Sequence, residues 1–264
     1  VKITRDRRMV CTLARIPIAL QLYSVRDDCA KDFPRTLEAV AKMGYEGVEF
    51  AGFYDRSAKE LRKLLDDNGL AVAGSHTSLN NLRGDALQRT IEFNKELGNK
   101  YLVIPSLPEA MRNSKAACLE TAKILNEIAE ALKPHGMYTG FHNHKVEVEP
   151  FPDGDSNAFI TLFDATVADV VVQIDVGHAM RGGGDPVALI RRYPGRVKTV
   201  HVKEYDPNDE TTVVGEGIVP WKDVFDACES TGGTEWYIVE HERYSKPPLE
   251  SVELCLRNLK AMGK

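Results

Sequence analysis

Cysteine is scarce in this sequence and never clustered. Cys11, Cys29, Cys118, Cys228 and Cys255 make an odd count, and no two are closer than 18 residues. With no CxxC pair, zinc-finger and thioredoxin-type motifs are excluded. Cys118, Cys228 and Cys255 fall in helix-periodic stretches and read as buried free thiols of a reducing compartment. A cytoplasmic location is therefore expected. A surplus of positive charge is also missing, since 34 Lys+Arg face 39 Asp+Glu for a net charge of −5. That balance opposes a nucleic-acid partner. No apolar run approaches the ~20 residues of a membrane span, so no membrane partner is expected. The first 19 residues, VKITRDRRMVCTLARIPIA, carry basic residues but no continuous apolar core of the kind a signal peptide needs. No G-x-G-x-x-G follows the first β-rich run, where the turn reads Arg26-Asp27-Asp28-Cys29. No linker, repeat or low-complexity stretch marks a second domain. The expected organisation is a lead segment, 1–17, and one domain, 18–264.

What is present is a regular alternation. Eight short β-rich runs occur at Ile18–Val25, Tyr45–Gly52, Leu70–Ser78, Tyr101–Leu107, Met137–His144, Val170–Asp175, Val197–Glu204 and Trp236–Glu242. Their starts recur about every 31 residues, and a strand–helix–strand unit needs about 30 or more. The segments between them carry helix periodicity with start and stop signals. Asp32 and Pro34 open one helix that Gly44 closes; Ser57 opens the next, with Leu61, Leu64 and Leu65 on one face and Gly69 as its stop. Lys115–Leu132 is the longest. Such alternation implies a parallel sheet with right-handed crossovers. An open doubly wound sheet and a closed barrel both fit that pattern. The count of eight and the length of 264 residues favour an α/β fold with a single (β/α)₈ barrel.

The histidines are not scattered. Six of seven sit at or just past a strand's C-terminal end: His76, His142, His144, His178, His201 and His241. In a barrel those ends converge on one rim, where active sites are built. Carboxylates join them: Glu49, Glu147, Asp175 and Glu240. Strand alternation puts Glu240 and Glu242 on one face, and His201 and Lys203 on another shared face. Past the strand end, His241 and Glu242 read as outward-facing or capping residues. Imidazoles with carboxylates form a hard-to-borderline ligand set for one divalent ion such as Mn²⁺, Mg²⁺, Co²⁺ or Zn²⁺. Such an ion can hold two adjacent sugar oxygens and stabilise the ene-diolate formed when a base removes the proton beside a carbonyl.

The motifs LQLYSVRD (Leu20–Asp27), GYEGVEF (Gly44–Phe50), FHNHKVE (Phe141–Glu147), DVGHA (Asp175–Ala179), VHVKEY (Val200–Tyr205), VGEGIVPW (Val214–Trp221) and IVEHE (Ile238–Glu242) make the sequence familiar. It resembles the xylose isomerase-like barrel superfamily. That group holds sugar and sugar-phosphate isomerases and epimerases, inosose dehydratases and the family 2 apurinic-site endonucleases. The resemblance implies an ion site of a Glu, an Asp, a His and a second Glu. It assigns the Asp to Asp175, the His to His201 and the last Glu to Glu240. The first Glu is carried over to Glu147, with His142, which occupies the usual strand position of that Glu, as the alternative. It implies Glu147 and Glu240 as the bases on opposite faces of the substrate, with His142 as an imidazole acid or base on one side. His178 would stabilise developing charge, Lys203 would bind an oxygen or protonate a leaving one, and His76 would line the pocket. His144 and Glu49 are further candidates for binding substrate.

The expected activity is isomerisation or epimerisation of a sugar or sugar phosphate through a metal-stabilised ene-diolate. Dehydration of a keto-inositol or keto-sugar is the alternative, and a non-enzymatic sugar-binding barrel the remote one. The endonuclease reading needs a three-ion cluster. The fourth strand ends in Ile104-Pro105-Ser106 without His, and no further Asp-x-His follows His201. Competing structural roles are a Glu240 ion pair with Arg243 or Lys203, a Glu49 ion pair with Lys203 or an Arg, and a solvated loop position for Glu147. Arg181, Arg243 and Lys203 are the candidates for a phosphate. The expected partner is a small sugar or polyol. Barrels of this kind often associate, so a homo-oligomer stays open.

Overall fold

The computed structural model describes residues 15–152, 154 and 156–264. Most of the expected lead segment, 1–14, and Cys11 lie outside the described residues. Eight strands form a closed parallel barrel in sequence order: β1 (Ile18–Gln21), β2 (Gly47–Ala51), β3 (Ala71–His76), β4 (Tyr101–Ile104), β5 (Tyr138–His142), β6 (Val171–Asp175), β7 (Thr199–Val202) and β8 (Trp236–Val239). β8 closes on β1 through Ile18↔Tyr237, Ala19↔Ile238 and Leu20↔Val239. Each strand is shorter than its β-rich run in the sequence. The residues left over past the C-terminal ends form the rim: Leu22–Val25, for example, continue β1 as a 3₁₀ turn.

The outer helices arise where the sequence signals place them. α1 (Arg26–Lys31) is a short extra turn, and α2 (Phe33–Met43) starts at Asp32, whose side chain accepts from Arg35 N. Gly44 ends α2 at φ 97°, a left-handed conformation that glycine adopts without steric cost. α3 (Ala58–Asn68) opens with a reciprocal capping box, Ser57 bonding Glu60 N while the Glu60 carboxylate accepts from Ser57 N. α4 (Gly84–Leu97) and α5 (Lys115–Leu132) follow. Then come α6 (Lys145–Val148), α7 (Ala158–Asp164), α8 (Val176–Arg181), α9 (Pro186–Arg192), α10 (Trp221–Ala227) and α11 (Pro248–Ala261). Three of these, α1, α6 and α8, are short helices at strand ends that periodicity alone did not reveal. Cys29, Cys118, Cys228 and Cys255 are buried free thiols. No helix among the described residues is long and apolar enough to cross a membrane.

Alternation divides the strands between two environments. Leu20, Val48, Phe50, Ile104, Phe141, Val172, Ile174, Val200, Val202 and Val239 face the helices in one continuous apolar core. The inward faces start apolar at the N-terminal ends of the strands, with Ala19, Ala73 and Ile238 packed against Trp236, and Tyr101, Val103 and Val171 beside them. Towards the C-terminal ends the inward side chains become polar, and there the site begins.

Candidate active site

Four inward residues from four neighbouring strands meet at the top of the barrel. His142, Asp175, His201 and Glu240 are all buried, and each offers a ligand atom within 4.8 Å of the others. β6 and β7 pair Asp175 with His201 directly, so the register itself brings these two together. Asp175 ends β6 and caps α8, its Oδ1 accepting from His178 N at 2.7 Å. Gly177 allows that helix to sit so close, because a Cβ there would lie 2.6 Å from the Glu204 carbonyl oxygen. A cavity of about 480 Å³ opens above the group, lined by His76, His142, His144, Glu240 and Glu242 among others.

Beneath the four residues lies a second polar layer. Glu49 Oε2 accepts from Gln21 Nε2 at 2.6 Å and faces His201 Nε2 at 2.6 Å. Glu49 Oε1 accepts from Gln173 Nε2 at 2.7 Å. The other ring nitrogen of His201, Nδ1, is hydrogen-bonded to Glu240. Burial alone would lower the His201 pKa, but Glu49 and Glu240 outweigh it and push it up to about 10. Burial also opposes ionisation of Glu240, yet Lys203 and His201 hold it well below the usual carboxylate range. His142 goes the other way. Burial and then the neighbouring His201 and His76 rings press its pKa well below 6.5, so it is neutral at pH 7.

Lys203 is the cationic centre of the upper rim. Its Nζ pairs with Glu242, lies 3.1 Å from His178 Nε2, and sits 3.8 and 3.9 Å from Glu240 and Asp175. Burial would weaken the ammonium charge, but Glu240, Asp175 and Glu242 together raise its pKa. Glu242 is held down to about 2; burial works against this, and the His178 and Lys203 contacts prevail. Glu242 is therefore a cavity residue and not an outward-facing cap: the chain past β8 keeps it on the inner side, where Lys203 fixes it. Strand alternation from Glu240 was the signal that pointed there. His241 is buried instead, its backbone N–H donating to Ser24 Oγ.

The remaining expected residues divide. His76 and His144 line the cavity, and the His76 ring stacks on His201 with centroids 5.3 Å apart. Burial, then His178, lowers the His144 pKa. Glu49 lies in the layer below and pairs with histidines instead of with Lys203 or an Arg. Glu147 is buried but stands apart from the four-residue group. Its Oε2 accepts from His144 N at 2.7 Å, closing a capping box at the start of α6, and its Oε1 pairs with Arg112 Nε at 3.1 Å. Of the two alternatives for the first ligand, His142 is the one inside the group. Arg181 and Arg243 both pair with Glu210 at the rim. No motif in the sequence marks Gln21, Gln173 or Thr199. They stand two residues from Ala19, Asp175 and His201 on the same strands, and inward alternation was the available signal.

The donor set fits a divalent cation. Two imidazoles and two carboxylates suit a hard-to-borderline ion. Asp175 Oδ2 is buried with no hydrogen-bond partner among the described residues; Lys203 Nζ stands 3.9 Å off, beyond hydrogen-bond reach, so the oxygen is left for a closer cation.

Comparison with known proteins agrees with this architecture. Inosose dehydratase from Bacillus thuringiensis (strain Al Hakam) is 22% identical over 256 residues, covering 80% of this chain and 82% of that protein. Inosose dehydratase from Clostridium tetani is 23% identical over 249 residues, with the same shares covered. A crystal structure of a sugar phosphate isomerase/epimerase from Parabacteroides distasonis superposes with a TM-score of 0.82 at 25% identity, covering 95% of this chain and 98% of the other. The IOLI protein, whose structure contains a zinc atom, shares the fold with a TM-score of 0.69 at 15% identity, covering 93% and 97%. The family model for the xylose isomerase-like TIM barrel matches residues 37–262. By its eight-stranded closed barrel and by this match, the chain belongs to the xylose isomerase-like TIM barrel family.

Proposed function

We propose that this chain is a divalent-metal-dependent enzyme that removes a proton beside a carbonyl of a sugar or polyol, with isomerisation or epimerisation as the outcome. The observation that carries this reading is the buried group of His142, Asp175, His201 and Glu240 at the floor of the rim cavity. These four residues would hold the ion. When bound, it would supply a Lewis acid that steadies two adjacent substrate oxygens and lowers the cost of negative charge on them. The zinc of the IOLI protein and the name of the Parabacteroides relative support the same reading.

The chain's own residues supply the proton chemistry. Glu240 is an ionised carboxylate at the cavity floor and can accept a proton. His144 lines the cavity with a lowered pKa, so near pH 7 its ring is neutral and can take up a proton, which the imidazolium so formed can return. Lys203, held cationic among three carboxylates, can bind a substrate oxygen. His178 stands beside it with a buried Nδ1 that has no partner among the described residues. A second reading is favoured by the Lys203–Glu242–His178 group. A proton donor next to a leaving hydroxyl turns the same proton removal into a dehydration, as in the relatives named inosose dehydratase.

Metal analysis of the purified chain beside Glu240→Gln tests the first part. About one divalent ion per chain, lost in the variant, is expected; no ion in the wild type after addition of Mn²⁺ or Co²⁺ overturns the reading. Mass spectrometry of products from keto-sugars and keto-inositols then separates the two outcomes. An isomerase preserves substrate mass, and a dehydratase loses one water.

A further inference from the structure

The layer beneath the candidate ligands contains a side chain to which the reaction assigns no role. Gln173 is fully buried on β6, two residues before Asp175. Its Nε2 donates to Glu49 Oε1 at 2.7 Å and to Thr199 Oγ1 at 2.9 Å. Its Oε1 lies 2.9 Å from His76 Nε2 and 3.2 Å from His142 Nδ1. All four hydrogen-bonding positions of the amide are thus filled.

The neighbours fix which way the amide faces. Tyr23 N–H donates to Gln21 Oε1, so the Gln21 amide nitrogen faces Glu49, and the Glu49 carboxylate is the acceptor of this layer. An amide oxygen turned toward it would set two acceptors 2.7 Å apart. The amide nitrogen therefore faces Glu49, and the amide oxygen faces both rings. That oxygen can only accept, so His76 must present Nε2–H and His142 must present Nδ1–H. With Nδ1–H turned to the amide oxygen, the nitrogen left to offer a lone pair is His142 Nε2. On the far side of the layer, Glu49 Oε2 takes the Nε2–H of His201, and Nδ1 donates to Glu240, so Nδ1 is the nitrogen that would give up its proton to an ion. A carboxylate or amide behind a ligating imidazole commonly sets its tautomer in this way.

We propose that Gln173 is a positioning residue that fixes the tautomers of His142 and His76, so that His142 offers Nε2 to an ion shared with Asp175, His201 and Glu240. The tautomer assignment stands on the hydrogen-bond geometry alone, and the second half rests on the metal-site reading above. Without Gln173, the His142 ring exchanges between tautomers, and part of the population presents N–H where the ion needs a lone pair.

Nitrogen NMR of the imidazoles in the metal-free full chain at pH 8 tests the assignment. His142 is expected to show a protonated Nδ1 and a bare Nε2; the reverse pattern overturns the proposal. In Gln173→Met, close in length and volume but without the amide, a tautomer mixture at His142 and a 10- to 100-fold weaker Co²⁺ dissociation constant are expected. Thr199→Val removes one acceptor of the amide nitrogen and is expected to leave the His142 tautomer unchanged. A Gln173→Met protein that melts earlier but keeps the wild-type tautomer and Co²⁺ affinity would reduce Gln173 to a packing role and overturn the proposal. If Gln173→Met fails to fold, the wild-type spectrum alone decides. A wild type that shows the expected tautomer but binds no Co²⁺ supports the assignment and overturns the metal reading separately.

Discussion

The two ends of the barrel interior are built on the same eight strands and meet burial in opposite ways. At the N-terminal end Ala19, Ala73, Ile238 and Trp236 fill the space with apolar atoms. At the C-terminal end Gln21, Glu49, Gln173 and Thr199, and above them His142, Asp175, His201 and Glu240, fill it with polar ones. The apolar end is stabilised by leaving water and needs only close packing. The polar end loses hydration, so each atom needs a partner. Glu49 has a full set of partners and therefore holds other groups in place. Asp175 Oδ2 has no hydrogen bond among the described residues, only Lys203 Nζ at 3.9 Å, and under the proposed function it is the atom left for a ligand. Under the proposed function, the difference separates side chains that would position from side chains that would meet the ion or substrate.

Substitutions at the two ends should break the molecule differently. Glu240→Gln is expected to have the largest effect, a loss of about 10³-fold or more in kcat/KM together with the bound ion, because charge stabilisation in a dry site contributes several kcal/mol. Steady-state kinetics and metal analysis measure it, and a fold melting within a few degrees of wild type would keep the effect local. Ile238→Ala at the apolar end should do the reverse. It should cost about 2–5 kcal/mol in a denaturant titration, by transfer and cavity terms, while ion stoichiometry stays the same. Loss of the ion in that variant would show that the two ends are not independent.

Glu242→Gln comes next. Lys203 loses its tightest anionic partner but keeps Asp175 and Glu240 at 3.9 and 3.8 Å, so a drop of about tenfold in kcat/KM is expected with the ion retained. A larger loss for a water-eliminating substrate than for an isomerised one would favour the dehydratase reading. Glu147→Gln should change least, within about 1 kcal/mol at pH 7, and should keep the ion. Burial raises the Glu147 pKa, so its ionisation opposes folding at neutral pH, and this penalty vanishes as pH falls through that pKa. Wild type and variant should therefore converge in urea titrations as pH falls from neutral towards the ordinary carboxylate range. Loss of the ion in Glu147→Gln would restore Glu147 as the first ligand.

The difference between Glu147 and His142 marks what was legible in advance. The phrase His142-Asn143-His144-Lys145-Val146-Glu147 showed that a carboxylate follows β5 closely. It did not show that α6 folds the chain back at once, so that Glu147 caps its own helix and meets Arg112 from the loop after β4. Arg112 is 35 residues away in sequence, and no periodicity links the two. Gln173, Thr199 and Gln21 were overlooked for a related reason. A single amide or hydroxyl within a strand has no motif, and its role depends on partners from other strands.

The strand–helix period, the helix caps at Asp32 and Ser57, the glycine stop at Gly44 and the gathering of histidines at strand ends were determined by the sequence alone. Each depends on residues within one turn or one unit of the chain. The tertiary structure alone decided which of the gathered residues lie close together, which of them pair with residues of other strands, and which partner each ring nitrogen meets. Those outcomes depend on strand register around a closed barrel and on full pairing of buried charges, and both bring together residues far apart along the chain.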